Sequence, residues 1–472
     1  MTLYDLPVRA RADRLRALLG DRVAFAGDPG YDAGRFAWNV AIDQRPFAVT
    51  RPETAEHVVE VVRAAAASGL RVAPQSTGHA AGALADSDLS DVVLVSLAGL
   101  RGAAVDPIAR TARVLGGSQW NDVLEVAAPH GLTAMHGSAG DVSVVGYSLS
   151  GGLSFYGRSH GLAVRSVRAV QLVTADGALI RASAQDNPDI FWAVRGGSGA
   201  FGIVVSIEID LLPYADVFAG MLLWDATHAP AVAHAWAKWT ESAPESATTT
   251  LRVMHFPSMP ELPPFLSGRS VVVVDGAILE ADAEATALLE PLRSLAPEMD
   301  TFARIPSAGL VAVHMDPPAP TPSATSHAIL GSLPADAVDA FVEAAAAPGL
   351  FISELRHLGG EIARADADGG AVSSIGGAYL WHTIAIVPVP EAFSPADAAV
   401  RAGVEALDEW RTDALALTFI DGPGVDRAPA FGAGRTRLRE LKRRFDPADM
   451  FVAAQPVQVE RRADSAGRAE PA

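Results

Sequence analysis

The sequence predicts an α+β protein of two lobes, and three observations carry that expectation. The chain has 472 residues, of which 49% are hydrophobic and 19% charged, enough apolar material for two buried cores. Residues before about 212 interleave short helical and period-two patterns, including one clear hairpin. From about 214 the texture shifts to amphipathic helices alternating with strands, as expected of an antiparallel sheet backed by helices.

The elements follow in order. In "TRPETAEHVVEVVRAAAASGLRVAP" (residues 50–74), Val58, Val61, Val62, Ala65 and Ala66 recur at helical spacing. Gly69 sits where a helix-terminating glycine belongs, and a strand is predicted over Leu70–Pro74. "DVVLVSL" (91–97) reads as a further strand, and "TARVLGGSQWNDVLEVAAPHGL" as strand, Gly-Gly turn and helix with Trp120, Val123, Leu124 and Ala127 on one face. The stretch from His136 to Val164 is rich in Gly and Ser and lacks periodicity for most of its length, which suits a segment that wraps a ligand. Asp176-Gly177 marks the hairpin turn of "VRAVQLVTADGALIRAS", and alternation from Ile203 to Leu211 marks a strand that Pro213 ends.

In the second lobe, helices are expected in "ADAEATALLEPLRSLAP" and "PADAVDAFVEAAAAPG", and strands in "RSVVVVDGAIL", "LFISELRHLGG" and "GGAYLWHTIAIVPV". "MDPPAPTPSATS" (315–326) is a Pro-rich loop, either a linker or a lid. Near the end, Leu438, Leu441 and Phe445 line one face of a helix, and a polar tail expected to be disordered runs from 458 to 472.

Composition narrows function. With 37 Lys+Arg against 55 Asp+Glu the formal net charge is -18, so nucleic acid is not an expected partner. The absence of cysteine removes disulfides, thiolate metal sites and cysteine nucleophiles. His57, His79, His130, His136 and His160 are scattered without HExxH or i, i+4 pairing, so no metal is expected. The first twenty residues mix charge throughout, and no run of 18 apolar residues occurs. The expectation is therefore a cytoplasmic protein without membrane association, as monomer or homodimer.

Three Gly/Ser-rich loops, 75–82, 137–152 and 195–202, could bring backbone close to a ligand and present free N–H groups to a phosphate, or could be tight turns. "GGSGAFG" feeds a strand and is no dinucleotide fingerprint, and there is no GxxxxGK[ST].

The order of blocks "YDAGRFAWN", "RPETAEHVVEVVRAA", "GHAAG", "GGSQWNDV", "GYSLSGG", "RSHGLAVRSV", "VTADG", "DIFWAVRGGSGAFGIV" and "LKRRFDPADMF" resembles the FAD-linked oxidases of the vanillyl-alcohol-oxidase type. Within them it is similar to the branch of berberine-bridge-like enzymes and 6-hydroxynicotine oxidases. The likeness is dense over roughly 20–213, clear in the C-terminal helix and weak between. It implies a PCMH-type FAD-binding domain over 1–212, a substrate domain over 213–413, and a segment over 414–457 that returns to the FAD domain.

The resemblance also implies site residues. His79 matches the histidine that bonds the flavin 8α-methyl, with Gln75, Ser76, Thr77 and Gly78 wrapping the pyrophosphate and Gly82 and Leu84 beyond; Thr77 departs from the usual S-G-G-H. Ala139 stands where many relatives carry a second, cysteinyl attachment, so a single histidyl linkage is implied. Gly137, Ser138, Ala139, Asp141, Val142, Gly146, Tyr147, Gly151, Gly152 and Leu162 would run along the FAD, with Gly202, Ile203, Val204 and Gln455 near it. Ser143, Ser150 and Ser154 replace glycines common in relatives.

The catalytic Tyr-x-Asn of berberine-bridge-like enzymes is missing, since Leu417 and Phe419 stand there. Tyr379, His382 and Tyr147 are the catalytic candidates, followed by His136 and His255. Because side chains alternate along a strand, Tyr379 and His382 are expected on opposite faces. The implied activity is oxidation of an alcohol or amine C–H of a small, specialised-metabolite-like molecule. Hydride would pass to flavin N5, and O2 would return the flavin to its oxidised state with release of H2O2. A dehydrogenase with another acceptor, or a flavin-binding protein without redox activity, are the rival expectations.

Overall fold

A computed structural model describes residues 7–85, 87–366 and 368–457; the expected polar tail lies outside the described residues. The first lobe is built on two sheets. One has the order Val23–Ala24, Ala48–Thr50, Val92–Ser96, Arg71–Gln75, with the last three strands parallel. Parallel neighbours require a crossover, and the predicted amphipathic helix supplies it as Ala55–Ala67, with Val58, Val61, Val62 and Ala65 buried. The Thr54 side chain accepts from the His57 N–H at its start, and Gly69 turns the chain at φ +66° after its end.

The second sheet is antiparallel, with order Ala103–Asp106, Thr111–Leu115, Ile203–Asp210, Val167–Val173, Leu179–Ser183. The predicted hairpin and the alternating strand are both here. The stretch from His136 to Val164 differs from expectation, because it folds into short helices Val144–Leu149 and Gly157–His160 and a 3-10 turn Ala163–Ser166. Its helical signal is local capping and not periodicity: Ser143 Oγ accepts from the Gly146 N–H.

The other lobe is one antiparallel sheet. Its strand order is Met299–Asp300, Asp216–Asp225, Ser270–Ile278, Ala247–His255, Ile352–His357, Tyr379–Ile386, Ser323–Leu330, and Ala303–Pro306 also pairs with Asp216–Asp225. Both faces are buried. One packs Leu251, Val253, Leu355, Tyr379 and Trp381 against the helices Ala229–Thr240 and Ala335–Ala345, while Leu380 and Ile329 on the opposite face join the core of the first lobe. The Pro-rich stretch is held at both ends, by buried His314 before it and by Ser323, whose N–H and C=O both bond to the Asn39 side chain.

The chain end returns to the first lobe. Val72 N–H donates to Met450 O and Val452 N–H to Val72 O, each at 2.9 Å, so residues 450–452 run beside the strand Arg71–Gln75. Buried Lys442, on helix Arg435–Phe445, donates to Ala200 O at 2.9 Å and pairs with Asp446 at 2.6 Å.

Candidate active site

A cavity of about 330 Å³ opens where the two lobes meet. Its floor is the loop after the strand Arg71–Gln75, the helix Val144–Leu149 and the turn at 198–204; its roof is Ser323, Thr325, His382 and residues 417–421. Among the described residues no Lys or Arg lines it.

The floor loop is tied down residue by residue. Gln75 Nε2 donates to Phe36 O at 3.0 Å and Ser76 Oγ to Gly116 O at 2.6 Å, while the Trp38 N–H donates to Thr77 O at 2.9 Å. Gly78 has φ +82°, and a Cβ there would lie 2.7 Å from Ala37 Cα, so only glycine lets the loop lie against residues 37–38. His79 follows, its ring stacked on Trp38 at 4.4 Å and 20°. The Trp38 indole N–H donates to Asp141 Oδ2 at 2.6 Å. His79 Nε2 is buried and, among the described residues, has no hydrogen-bond partner. Burial pushes the imidazole down to about 4, against the opposing pull of Asp141 and Asp316, so it is neutral at pH 7.

Of the residues expected along the FAD, Gln75, Ser76, Thr77, Gly78, His79, Leu84, Val142, Gly146, Tyr147, Gly202, Val204 and Gln455 line this cavity. Others stand elsewhere, for packing reasons. Gly137 and Gly152 back the Tyr147 ring, where a Cβ would come within 3.0 and 2.5 Å of it, and a Cβ on Gly82 would strike Asp421 O at 2.2 Å. Leu162 and Ile203 are core residues, and Ser138 faces a separate small cavity with Arg356 and His357. Ala139, Asp141 and Gly151 lie outside the cavity wall; Asp141 serves it through Trp38.

The catalytic candidates divide as strand alternation requires. His382 lines the cavity. Tyr379 does not, which corrects its candidacy: it points into the helix-backed core, its hydroxyl 2.6 Å from Thr240 Oγ1. Tyr147 lines the cavity with its hydroxyl buried and unpartnered, and burial raises that hydroxyl far above the usual phenol range, so it suits holding a proton and not removing one. His136 is buried outside the cavity, its Nδ1 2.6 Å from Gly137 O, and His255 is held by Ser270 Oγ and Ala345 O, each at 2.8 Å. Neither can serve the site.

Behind His382 lies a buried polar array that sequence reasoning missed. Strand register sets His327, His382, Glu354 and Arg252 in one row across four strands, with Arg356, Thr250 and Asp275 in the next row on the same face. Glu354 Oε2 is 3.8 Å from His382 Nδ1 and 3.6 Å from His314 Nε2, and its other oxygen pairs with Arg356. Asp275 pairs with Arg252, and its Oδ2 lies 3.1 Å from His314 Nδ1. Burial alone would raise Glu354, but Arg356 and His314 hold it well below the usual carboxylate range. Asp421, also on the cavity wall, is raised by burial, opposed by the Thr325 hydroxyl that donates to it and by His382. The missed signal was charge in mid-strand: Asp275 interrupts the apolar run 271–278, Arg252, Glu354 and Arg356 stand inside strands 247–255 and 352–357, and a buried charge there must face polar partners.

Comparison with known proteins shows what this geometry is similar to. Residues 46–183 match the FAD binding domain model. Over 470 residues, covering 90% of both chains, the protein is 26% identical to xylooligosaccharide oxidase of Thermothelomyces thermophilus. The chain thus carries an FAD-binding domain and is similar over most of its length to an FAD-linked oxidase. It is also 34% identical to (R)-6-hydroxynicotine oxidase of Paenarthrobacter nicotinovorans over 204 residues, 43% of this chain and 44% of that one. Its fold is that of the solved berberine-bridge-like 1 protein of Physcomitrella patens (TM-score 0.81, 19% identity, 98% and 100% of the two chains). It is also that of 6-hydroxy-D-nicotine oxidase of Arthrobacter nicotinovorans (TM-score 0.79, 21% identity, 93% and 97%). The expected α+β fold with a PCMH-type FAD-binding part is therefore the fold of this chain.

The residues present fit FAD. The floor places the small residues Ser76, Thr77, Gly78, Ser198, Gly199 and Gly202 on the cavity wall, where little side chain stands between the backbone and a ligand. It also offers buried polar atoms without partners among the described residues in His79 Nε2, Tyr147 Oη and Gln455 Oε1.

Proposed function

We propose that this protein takes hydride from the C–H of an alcohol or amine carbon in a small organic molecule, with His79 as the single covalent tether of FAD and His382 as the base. When bound, FAD supplies the two-electron acceptor, and O2 is the terminal oxidant that yields H2O2. The carrying observation is that opposite walls of one cavity hold His79 and His382. His79 is neutral at physiological pH, which leaves a ring nitrogen lone pair for bonding. Thr77, Gly78 and the turn at 198–202 would hold the anionic part of the cofactor through backbone N–H groups, since no Lys or Arg lines the described cavity.

His382 takes the place of the missing Tyr-x-Asn tyrosine. Glu354, kept ionised by Arg356 and His314, stands on the Nδ1 side of the ring. With the carboxylate 3.8 Å from Nδ1, Nε2 is the ring nitrogen left to accept the proton of a substrate hydroxyl or amine. The tight apolar packing of Phe419 against His382, at 5.1 Å and 83°, keeps that ring in place and bulk water from it.

The test has two parts. Acid-precipitated protein is expected to stay yellow, and His79→Ala to release its colour; colour released from the unmodified protein refutes the tether. A panel of alcohols and amines is then screened for anaerobic flavin bleaching and for H2O2 on readmitting air. Bleaching that persists for minutes in air would identify a dehydrogenase instead.

A further inference from the structure

A histidine that must bond to a cofactor carbon needs its ring held at one angle, and the surroundings of His79 are built for that. The ring lies flat on the Trp38 indole, at 4.4 Å and 20°. The indole is itself fixed, by its N–H to Asp141 Oδ2 at 2.6 Å on one side and by the Trp38 backbone N–H to Thr77 O at 2.9 Å on the other. Three separate loops, at 36–39, 76–79 and 138–142, thus meet at one aromatic pair. Among the described residues no atom hydrogen-bonds His79 Nε2, which is buried, and His79 belongs to the cavity wall. Held by stacking alone, the imidazole keeps that nitrogen uncommitted.

We propose that Trp38, anchored by Asp141, is the positioning residue for covalent flavin attachment at His79. The inference rests on the tether reading above. The bond joins an imidazole nitrogen to the flavin 8α-methyl carbon. One hydrogen leaves the methyl group and one proton leaves the ring, two electrons pass into the flavin, and O2 takes up both electrons and both protons as H2O2. During bond formation the imidazole carries positive charge until its proton departs. The carboxylates of Asp141 and Asp316 both act on the ring in the direction that favours that charge. Trp38 sets the angle of the ring, and Asp141 both fixes Trp38 and supplies field.

The experiment follows attachment and not turnover. Wild type, Trp38→Ala, Trp38→Phe, Asp141→Asn and His79→Ala are purified and held in air with excess FAD. Total flavin and acid-stable flavin are measured at isolation and over time, by absorbance and by in-gel fluorescence. Loss of ring orientation is expected to slow acid-stable attachment about tenfold or more in Trp38→Ala. Trp38→Phe, which keeps a stacking ring but drops the indole N–H, is expected to fall between it and wild type, and Asp141→Asn to slow attachment several-fold. Total bound flavin in these variants should stay within about twofold of wild type. Attachment at the wild-type rate in Trp38→Ala overturns the proposal. Should Trp38→Ala bind no FAD at all, Asp141→Asn decides: slowed attachment supports the proposal and an unchanged rate overturns it. Acid release of all flavin from wild type is a different result, since it defeats the tether itself, and the positioning role with it.

Discussion

Replacing Glu354 by glutamine tests the buried array directly. The carboxylate is 2% exposed, and it faces Arg356, whose side chain is 14% exposed, and His314, 3% exposed. Removing its charge leaves Arg356 without its ion-pair partner in a nearly dry interior, a change that costs about 3–5 kcal/mol when a buried pair is broken. Glutamine retains hydrogen-bonding atoms, so the low end, about 3 kcal/mol, is expected. For a cooperative unit of about 150–250 residues this corresponds to a Tm lower by roughly 6–12 °C. The sign with pH is fixed as well. Glu354 has its folded pKa depressed, so its contribution is present above the unfolded carboxylate value and is lost as pH falls through the folded value. Wild type should therefore lose its advantage over Glu354→Gln progressively below about pH 4.3, the unfolded glutamate value. Differential scanning fluorimetry from about pH 2 to 8 reads both effects. A Glu354→Gln melting point within a degree of wild type at pH 7 refutes the argument. So does a Glu354→Leu/Arg356→Leu double variant as unstable as the sum of its single changes, because removing both charges relieves the penalty that removing one creates.

Other outcomes follow from particular contacts. Gly78→Ala is expected to destabilise the protein by about 2 kcal/mol or more, from a left-handed backbone and a Cβ 2.7 Å from Ala37 Cα, and to lower flavin content, read by urea unfolding and by absorbance. Tyr379→Phe should cost about 1 kcal/mol through the lost bond to Thr240 and leave turnover unchanged; a large loss of turnover would return Tyr379 to the site. His382→Ala should lower the rate of flavin reduction by roughly 10²–10⁴-fold while flavin content stays that of wild type, measured by stopped-flow absorbance. A rate within threefold of wild type would remove His382 as the base.

The first lobe was legible because its signals are local. The helix Ala55–Ala67, the Asp176-Gly177 turn and the strand Ile203–Asp210 each announce themselves within a dozen residues, by helical spacing, turn chemistry and alternation. The floor loop was legible for a related reason, since Gly78 and its neighbours are small where backbone must approach something. Helix Val144–Leu149 was not, because a two-turn helix has no room for periodicity and rests on one Ser143 cap.

The roof shows where local pattern stops. Alternation along Tyr379–Ile386 separated Tyr379 from His382, but it could not say which of them meets the cavity, because both faces of that sheet are buried. Hydrophobic runs on a two-sided sheet read alike on either side. The choice is made by what packs on each face: Trp236 and the Thr240 hydroxyl claim Tyr379, and the first lobe claims Leu380 and with it His382. The array behind His382 is more remote still, for it joins strands 247–255, 270–278, 352–357 and 379–386 with His314 from a loop. A one-residue slip of the 352–357 strand would turn Glu354 and Arg356 into the apolar helix-backed core and bring Leu355 to the flavin side. Glu354 therefore helps to hold the register, because only the observed alignment sets it against His314 and His382 from other segments, while its pair with Arg356 on the same strand moves with it. The strand alignment that sets Glu354 beside His314 also sets it opposite His382, which lines the cavity.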